Sequence, residues 1–134
     1  MEAKELRIGN LVYDCVKSEK LECYQIRSIE SINIFVNHQM GVTFNRGGEN
    51  IFENIKPIPL TSDLLLKFGF KDNKGKDESF SYILNDFSIK PSVFRTNHLA
   101  VLYYANIEIC YIDTVHHLQN IYFAIEGSEL QYNI

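Results

Sequence analysis

The side chains with the most reactive chemistry lie near the C-terminal end of the chain. His116 and His117 are adjacent, and Cys110 and Asp113 precede them by a few residues. Imidazole, thiolate and carboxylate groups are the usual zinc ligands in proteins, and a thiol beside an imidazole is a pair used in nucleophilic catalysis. Adjacent helical positions point about 100° apart, so the two histidines need further ligands to hold one ion. His98, Cys110 and Asp113 are the candidates.

Neither a metal site nor a nucleophilic pair has the features that its chemistry requires. The sequence contains no G-x-S-x-G, H-E-x-x-H, P-loop or G-x-G-x-x-G motif. Cys110 lies in an apolar segment with no recognisable base beside it, and no acidic pair is spaced for acid–base work. Cys15, Cys23 and Cys110 form no C-x-x-C pair and are predicted to be free, buried thiols. The sequence therefore predicts a protein that is not an enzyme and holds no metal or cofactor.

The two histidines belong to a predicted amphipathic helix over residues 115–126. Apolar residues recur there at helical spacing, which makes a stripe along one side. Asp113 or Thr114 can cap its first amides, and Gly127 can adopt the left-handed conformation that ends it. The ends of the helix are therefore predicted by its flanking residues.

A second strip on this helix carries uncharged polar and aromatic side chains where a solvated face would carry lysine and glutamate. Its members are spaced i, i+3, i+4 and i+7: His116, Gln119, Asn120 and Phe123. A phenylalanine in a solvated face exposes a large apolar ring. We therefore expect the strip to be covered, either by the N-terminal part of the chain or by a partner protein.

The N-terminal half reads as a series of short strands. Turn-forming clusters separate predicted strands at residues 11–16, 21–29, 32–37, 42–44 and 51–55. Ile32, Ile34 and Val36 alternate with polar residues, which places them on one face and points Phe35 the other way. Five short strands at this spacing predict a small, SH3-like β-barrel over residues 1–56.

Pro57 and Pro59 end this series, because proline donates no hydrogen bond to a sheet. Residues 57–70 are predicted to be a connector and a short helix capped by Thr61. Strands follow at 80–84, 87–90, 93–96, 99–104 and 107–111, after a mixed-charge loop at 71–78. Their short connections permit only antiparallel neighbours. The sequence predicts an α+β protein in which residues 71–134 form an antiparallel meander packed on the C-terminal helix.

The composition narrows the class of protein. The chain has 134 residues, 46% of them hydrophobic, and a net charge of −4, which suits one or two small domains with a real core. Its charged start carries no signal-peptide pattern and no segment reaches the length of a membrane span, so we expect a cytoplasmic protein. No lysine or arginine follows Arg95.

Three segments resemble a family of small uncharacterised proteins of bacterial genomes and their prophages. These are LRIGN at residues 6–10, the PIPLT segment and leucine-rich turn at residues 57–70, and the VHHLQNIYFAIEG helix within residues 115–130. Leu64 stands where the family pattern has tryptophan, and His117 where it has glutamine. The resemblance implies the same layout and a bacterial or prophage origin. It implies no activity, since the family has none assigned.

Three functions remain open. The first is a non-catalytic protein-interaction module that uses the second strip together with Phe35, because aromatic residues among uncharged polar ones are typical of interface centres. The second is nucleic-acid binding by the N-terminal strands, where aromatic and basic residues could form a groove: Tyr13, Tyr24 and Phe35 with Arg7, Lys17, Lys20, Arg27, Arg46 and Lys56. Eight acidic residues in residues 1–60 argue against it. The third is an enzyme with an unrecognised site.

Overall fold

The computed structural model describes residues 5–17, 22–35, 38–72, 82–91 and 100–132. They form two antiparallel five-stranded sheets and one main helix, so the protein is α+β. The chain divides into two compact units, of which the first comprises Met1–Ile58 and Thr114–Glu129 and the second comprises Pro59–Asp113 and Leu130–Ile134. Within the described ranges, no helix has the length and apolar character needed to span a membrane.

The first sheet has the strand order β4-β3-β2-β1-β5. Its strands are β1 Leu11–Lys17, β2 Glu22–Ile34, β3 Met40–Phe44, β4 Glu49–Ile51 and β5 Ile55–Lys56. β2 joins two strands that the sequence predicts to be separate. Where a turn is predicted at residues 30–31, the register with β3 slips between Ile29 and Ser31. Such a bulge bends the strand. The part of β2 before the bulge pairs with β1, and the part after the bulge pairs with β3.

This sheet is open, so the predicted SH3-like barrel is not confirmed. β5 returns to pair with β1, but it is only two residues long. In the part of the chain that the structure describes, no pairing joins β5 to β4. The core of the unit is a cluster of buried apolar side chains: Leu6, Val12, Ile29, Val42, Phe44 and Ile55.

The first sheet ends at Lys56, before the two prolines, and the connector leads into α1, Ser62–Lys67. The Thr61 hydroxyl accepts a hydrogen bond from the Leu64 N–H at 3.2 Å, as expected of an N-cap. Leu64 and Leu65 are buried in this short helix, and Phe68 follows it with its ring 5.2 Å from that of Tyr132. The helix therefore contributes to the core of the second unit.

The second sheet is a meander with the order β10-β9-β8-β7-β6. Its strands are β6 Lys71–Asp72, β7 Tyr82–Leu84, β8 Phe87–Pro91, β9 Ala100–Tyr104 and β10 Ile107–Ile112. The β6 strand lies where the sequence predicts a loop, and it pairs with β7. The predicted strand at residues 93–96 lies outside the described residues. Asn85, Ala105 and Asn106 have positive φ angles, which two-residue hairpins of this kind require.

The main helix, α2, spans Val115–Glu126, as the sequence predicts. Gly127 ends it with a φ of 74°, and its N–H donates to the Phe123 carbonyl at 2.8 Å. Thr114 occupies the N-cap position without a side-chain capping bond, while the Val115 N–H donates to the Ile58 carbonyl at 2.8 Å. α2 belongs to the first unit, whereas the sequence groups it with the meander of residues 71–134. An apolar stripe shows that a helix must be covered, but not which sheet covers it.

Candidate functional site

The second strip of α2 faces the N-terminal segment of the same unit, residues 5–11. His116 and Gln119 are buried, Asn120 is half-buried, and Phe123 is 39% exposed. Hydrogen bonds join Gln119 and Asn120 of the strip, and Glu129 beyond the helix, to this segment. We call this set of contacts the α2 seam.

Gln119 binds the main chain of the N-terminal segment. Its Oε1 accepts a hydrogen bond from the Leu11 N–H at 2.8 Å, and its Nε2 donates to the Gly9 carbonyl at 3.3 Å. A primary amide offers both a donor and an acceptor, so one side chain satisfies two main-chain groups just before β1. Gln119 thus attaches α2 to the start of the first sheet without burying a charge.

Asn120 binds the same segment through side chains. Its Oδ1 accepts hydrogen bonds from Asn10 Nδ2 at 2.7 Å and from Arg7 Nε at 3.2 Å, and its Nδ2 donates to the Glu5 carbonyl at 3.0 Å. Asn10 is buried, and its Oδ1 accepts from the Arg7 N–H at 2.7 Å. The asparagine of the LRIGN segment is therefore a structural partner of the helix.

Arg7 connects the N-terminal segment to the C-terminal half of the strip and to Glu129, beyond the helix. Its guanidinium forms a two-point ion pair with Glu129, in which Nη2 lies 3.1 Å from Oε2. The guanidinium carbon also lies 4.2 Å from the centre of the Phe123 ring, within the range of a cation–π contact. Phe123 is thus partly covered by Arg7, and its remaining exposed surface adjoins a charge that is already paired.

The described histidines, His116 and His117 among them, show no metal-binding geometry. His116 Nε2 lies 4.0 Å from Glu5 Oε2, and no group of three His, Cys, Asp or Glu side chains among the described residues is arranged to hold a metal ion. His98 lies outside those residues. Burial raises the pKa of the Cys110 thiol, so at neutral pH it is held in the protonated form, which is a poor nucleophile.

Phe35, which the sequence predicts to face outward, is half-buried at the end of β2. It directly follows β2, and its N–H donates to the Gln39 carbonyl at 2.8 Å, while its carbonyl accepts from the His38 N–H at 2.9 Å. Its ring is half-buried and lies directly over Gly41, where a Cβ atom would overlap it. The absence of a side chain at Gly41 makes room for the ring.

The exposed apolar residues at this place are two that the sequence does not single out. Ile34 and Met40 are direct cross-strand neighbours at the turn end of the β2–β3 hairpin, and they are 68% and 41% exposed. The alternation of residues 32–36 predicts that Ile34 points into the core. Ile32 does pack against the core, but the strand extends past it. We call Ile34, Phe35 and Met40 the hairpin end.

Two of the basic residues proposed to bind nucleic acid are engaged within the first unit. Arg7 is paired with Glu129, and Arg27 lies 4.8 Å from the centre of the Phe44 ring and donates to the Gly47 carbonyl. Arg46 and Lys56 are exposed. Tyr13 is half-buried, and Lys20 lies outside the described residues, as do the side chains of Lys17 and Tyr24.

No protein-family model, curated protein or solved structure matches the chain. The function must therefore be argued from the geometry of the two units alone.

Proposed function

We propose that the protein is a non-catalytic protein-interaction module that binds its partner through the hairpin end. The observation that carries the proposal is the exposed cross-strand pair of Ile34 and Met40 at the end of the β2–β3 hairpin. A single exposed aliphatic residue is ordinary. Two that are cross-strand neighbours at the end of a hairpin form a small apolar surface suited to a partner.

The surrounding sequence supports a protein partner. Residues 31–45 contain no aspartate, glutamate, lysine or arginine. Interface centres are depleted in charged residues and enriched in aromatic residues and methionine. Phe35 adds a half-buried aromatic ring on the other face of the hairpin end, over Gly41. A phosphate-binding surface would instead require cations.

The α2 strip is a weaker candidate for the partner site. Gln119 and Asn120 are engaged by residues 5–11, and the exposed part of Phe123 adjoins Arg7. The strip was one of two places where the sequence predicts an interaction face. The geometry favours the other place, around Phe35, although Ile34 and Met40 rather than Phe35 itself provide most of its exposed surface.

The proposal has further parts. An SH3-like description of the first sheet is supported by the return of β5 to β1 and by the bent β2. A cytoplasmic location is also part of the proposal. A prophage or mobile-element origin rests on the resemblance of the three segments. Nucleic-acid binding and catalysis are the competing functions.

The test compares three forms of the full chain as bait in a lysate of the source cell. The wild type is compared with the double variant Ile34→Lys/Met40→Lys and with Ile8→Lys, a matched change at another exposed isoleucine of the first unit. Circular dichroism first shows that each variant is folded. We expect quantitative mass spectrometry to show a captured protein that is reduced at least tenfold, roughly 1.4 kcal/mol, by the double variant and retained by Ile8→Lys.

Two results would contradict the proposal. One is equal capture by all three forms, which would show that the hairpin end is not the binding surface. The other is tight binding of the wild type to single-stranded nucleic acid that weakens steeply with salt, which is the behaviour of a phosphate-driven interaction. That result would favour the competing function.

A further inference from the structure

The second sheet has an exposed apolar edge. β10, Ile107–Ile112, is the last strand in the sheet order, and in the described part of the chain it pairs with β9 alone. Ile107 and Ile109 on this strand are 67% and 43% exposed. Edge strands present main-chain donors and acceptors that can pair with another strand.

This edge lacks the residues that commonly protect such strands. Proteins often place lysine or proline on an edge strand, but β10 contains neither, and Glu108 is its one charged residue. A bulge interrupts the register between Glu108 and Cys110. Just beyond the strand, the Leu60 N–H donates to the Asp113 carbonyl at 3.0 Å. The chain's own connector therefore limits the available edge to β10 itself, which is a length of six residues.

The charges that the structure describes around this edge are negative. Glu108 is exposed on β10, and Asp113 is exposed just after it. Asp86 is exposed in the β7–β8 turn, and its carbonyl accepts the Ala105 N–H of the β9–β10 turn at 2.9 Å. The lysines that the structure describes in this unit are elsewhere. Lys71 is on β6, at the opposite edge, and Lys90 is on β8, two strands in; the third, Lys67, is on α1.

We propose that β10 binds a short extended segment of a partner protein, which adds to the sheet as a strand and carries apolar residues together with lysine or arginine. Addition of a strand supplies main-chain hydrogen bonds, and alternate side chains supply specificity. The exposed isoleucines select apolar side chains, and Glu108, Asp113 and Asp86 select a cation by charge complementarity.

A second copy of the chain fits this edge less well than a basic segment. Pairing two β10 strands would bring two sets of the same acidic residues together, and like charges on adjacent strands are unfavourable. It would also require two bulged strands to match along their length, which is how bulges discourage self-association. The proposal concerns a strand of the second unit, so its failure would leave the hairpin end of the first unit untouched, and the reverse also holds.

The experiment measures the binding of fluorescein-labelled octapeptides to the full-length protein by fluorescence anisotropy. The first probe alternates valine with lysine and threonine, the second has glutamate in place of lysine, and the third is the first with N-methylated main-chain amides. We expect saturable binding of the basic peptide, at least tenfold weaker binding of the acidic one, and none of the methylated one. Attraction to a charged edge also predicts weaker binding as salt is raised.

Two variants with the same change in net charge locate the site. Glu108→Lys replaces the acid on β10, and Glu53→Lys replaces an exposed acid of the first unit. We expect the first to weaken binding of the basic peptide about tenfold, since an attractive cross-strand pair becomes a repulsive one. The second should leave the affinity within about twofold, because its charge lies outside the proposed site.

Several outcomes would overturn the proposal. These are no saturable binding up to about 1 mM, equal affinity for the basic and acidic peptides, unchanged affinity of the methylated peptide, or equal effects of the two variants. Sedimentation equilibrium without peptide gives a further test. A dimer whose Kd changes in Glu108→Lys and not in Glu53→Lys would show that the occupant of this edge is a second copy.

Discussion

Replacing Gln119 by leucine tests whether the α2 seam stabilises the first unit. The Gln119 side chain is 2% exposed, and it joins the Leu11 N–H and the Gly9 carbonyl. Leucine keeps most of the volume but removes both hydrogen bonds, and each unsatisfied buried polar group costs about 1–3 kcal/mol. The added apolar surface offsets part of this, at about 25 cal/mol per Å². We expect the free energy of unfolding of the first unit to fall by about 2–3 kcal/mol.

The measurement combines urea denaturation, followed by far-UV circular dichroism, with amide hydrogen exchange by NMR. The chain has two units, so a single melting temperature does not report the first unit alone. Hydrogen exchange at the Leu11 amide does report the first unit, because that N–H donates to Gln119 Oε1. The protection of the Leu11 amide should fall as the free energy of local opening falls. Gln25→Leu is the matched control, since Gln25 is exposed on β2, and it should change stability by less than about 0.5 kcal/mol.

An unchanged Leu11 protection factor in Gln119→Leu, or a loss of stability no larger than that of the control, would refute the reasoning. Either result would show that these hydrogen bonds are not maintained in solution. The second strip of α2 would then be accessible, and it would become the stronger candidate for the partner site.

Three other predictions concern packing and the thiol. Gly41→Ala should lower the free energy of unfolding by about 1–3 kcal/mol through overpacking, because the added Cβ overlaps the Phe35 ring. Urea denaturation should show that adding Phe35→Ala to the same chain recovers part of this loss. Phe68→Ala should cost about 3–5 kcal/mol in the same assay, and Leu66→Ala, at an exposed position of α1, less than about 1 kcal/mol. Equal losses for this pair would contradict the packing. Burial raises the pKa of Cys110, so its thiolate fraction at about pH 8 is below that of an ordinary thiol. Peptide mapping should therefore show slower alkylation of Cys110 by iodoacetamide in the folded chain than in urea. Equal rates would count against the raised pKa.

The α2 seam shows how far sequence reasoning reaches a site. The spacing of His116, Gln119, Asn120 and Phe123 identifies one strip with an unusual composition, and the polar amides favour a covered position. The sequence leaves open whether a partner or the chain itself covers it. Arg7 and Asn10 belong to the LRIGN segment, more than 100 residues earlier in the chain, and no local pattern connects them with the helix.

The hairpin end shows the opposite case. Alternation predicts which face of a strand a side chain occupies, but not how far along the strand the core extends. Ile32 and Ile34 share a face, yet only Ile32 packs against the core. Phe35 lies on the other face and is half-buried because Gly41 leaves space for it on the neighbouring strand. Exposure at a strand end therefore depends on the length of its neighbours.

The sequence by itself determines the local structure of this protein. Gly127 ends α2, Thr61 caps α1, and the prolines at 57 and 59 separate the two sheets, because each of these effects arises within a few residues of the chain. The tertiary structure alone decides that β2 is one bent strand with a bulge, that β10 is left at an edge, and that α2 joins the first unit through Arg7, Asn10 and Gln119. These features depend on contacts between residues far apart in sequence, and many such pairings satisfy the same local patterns.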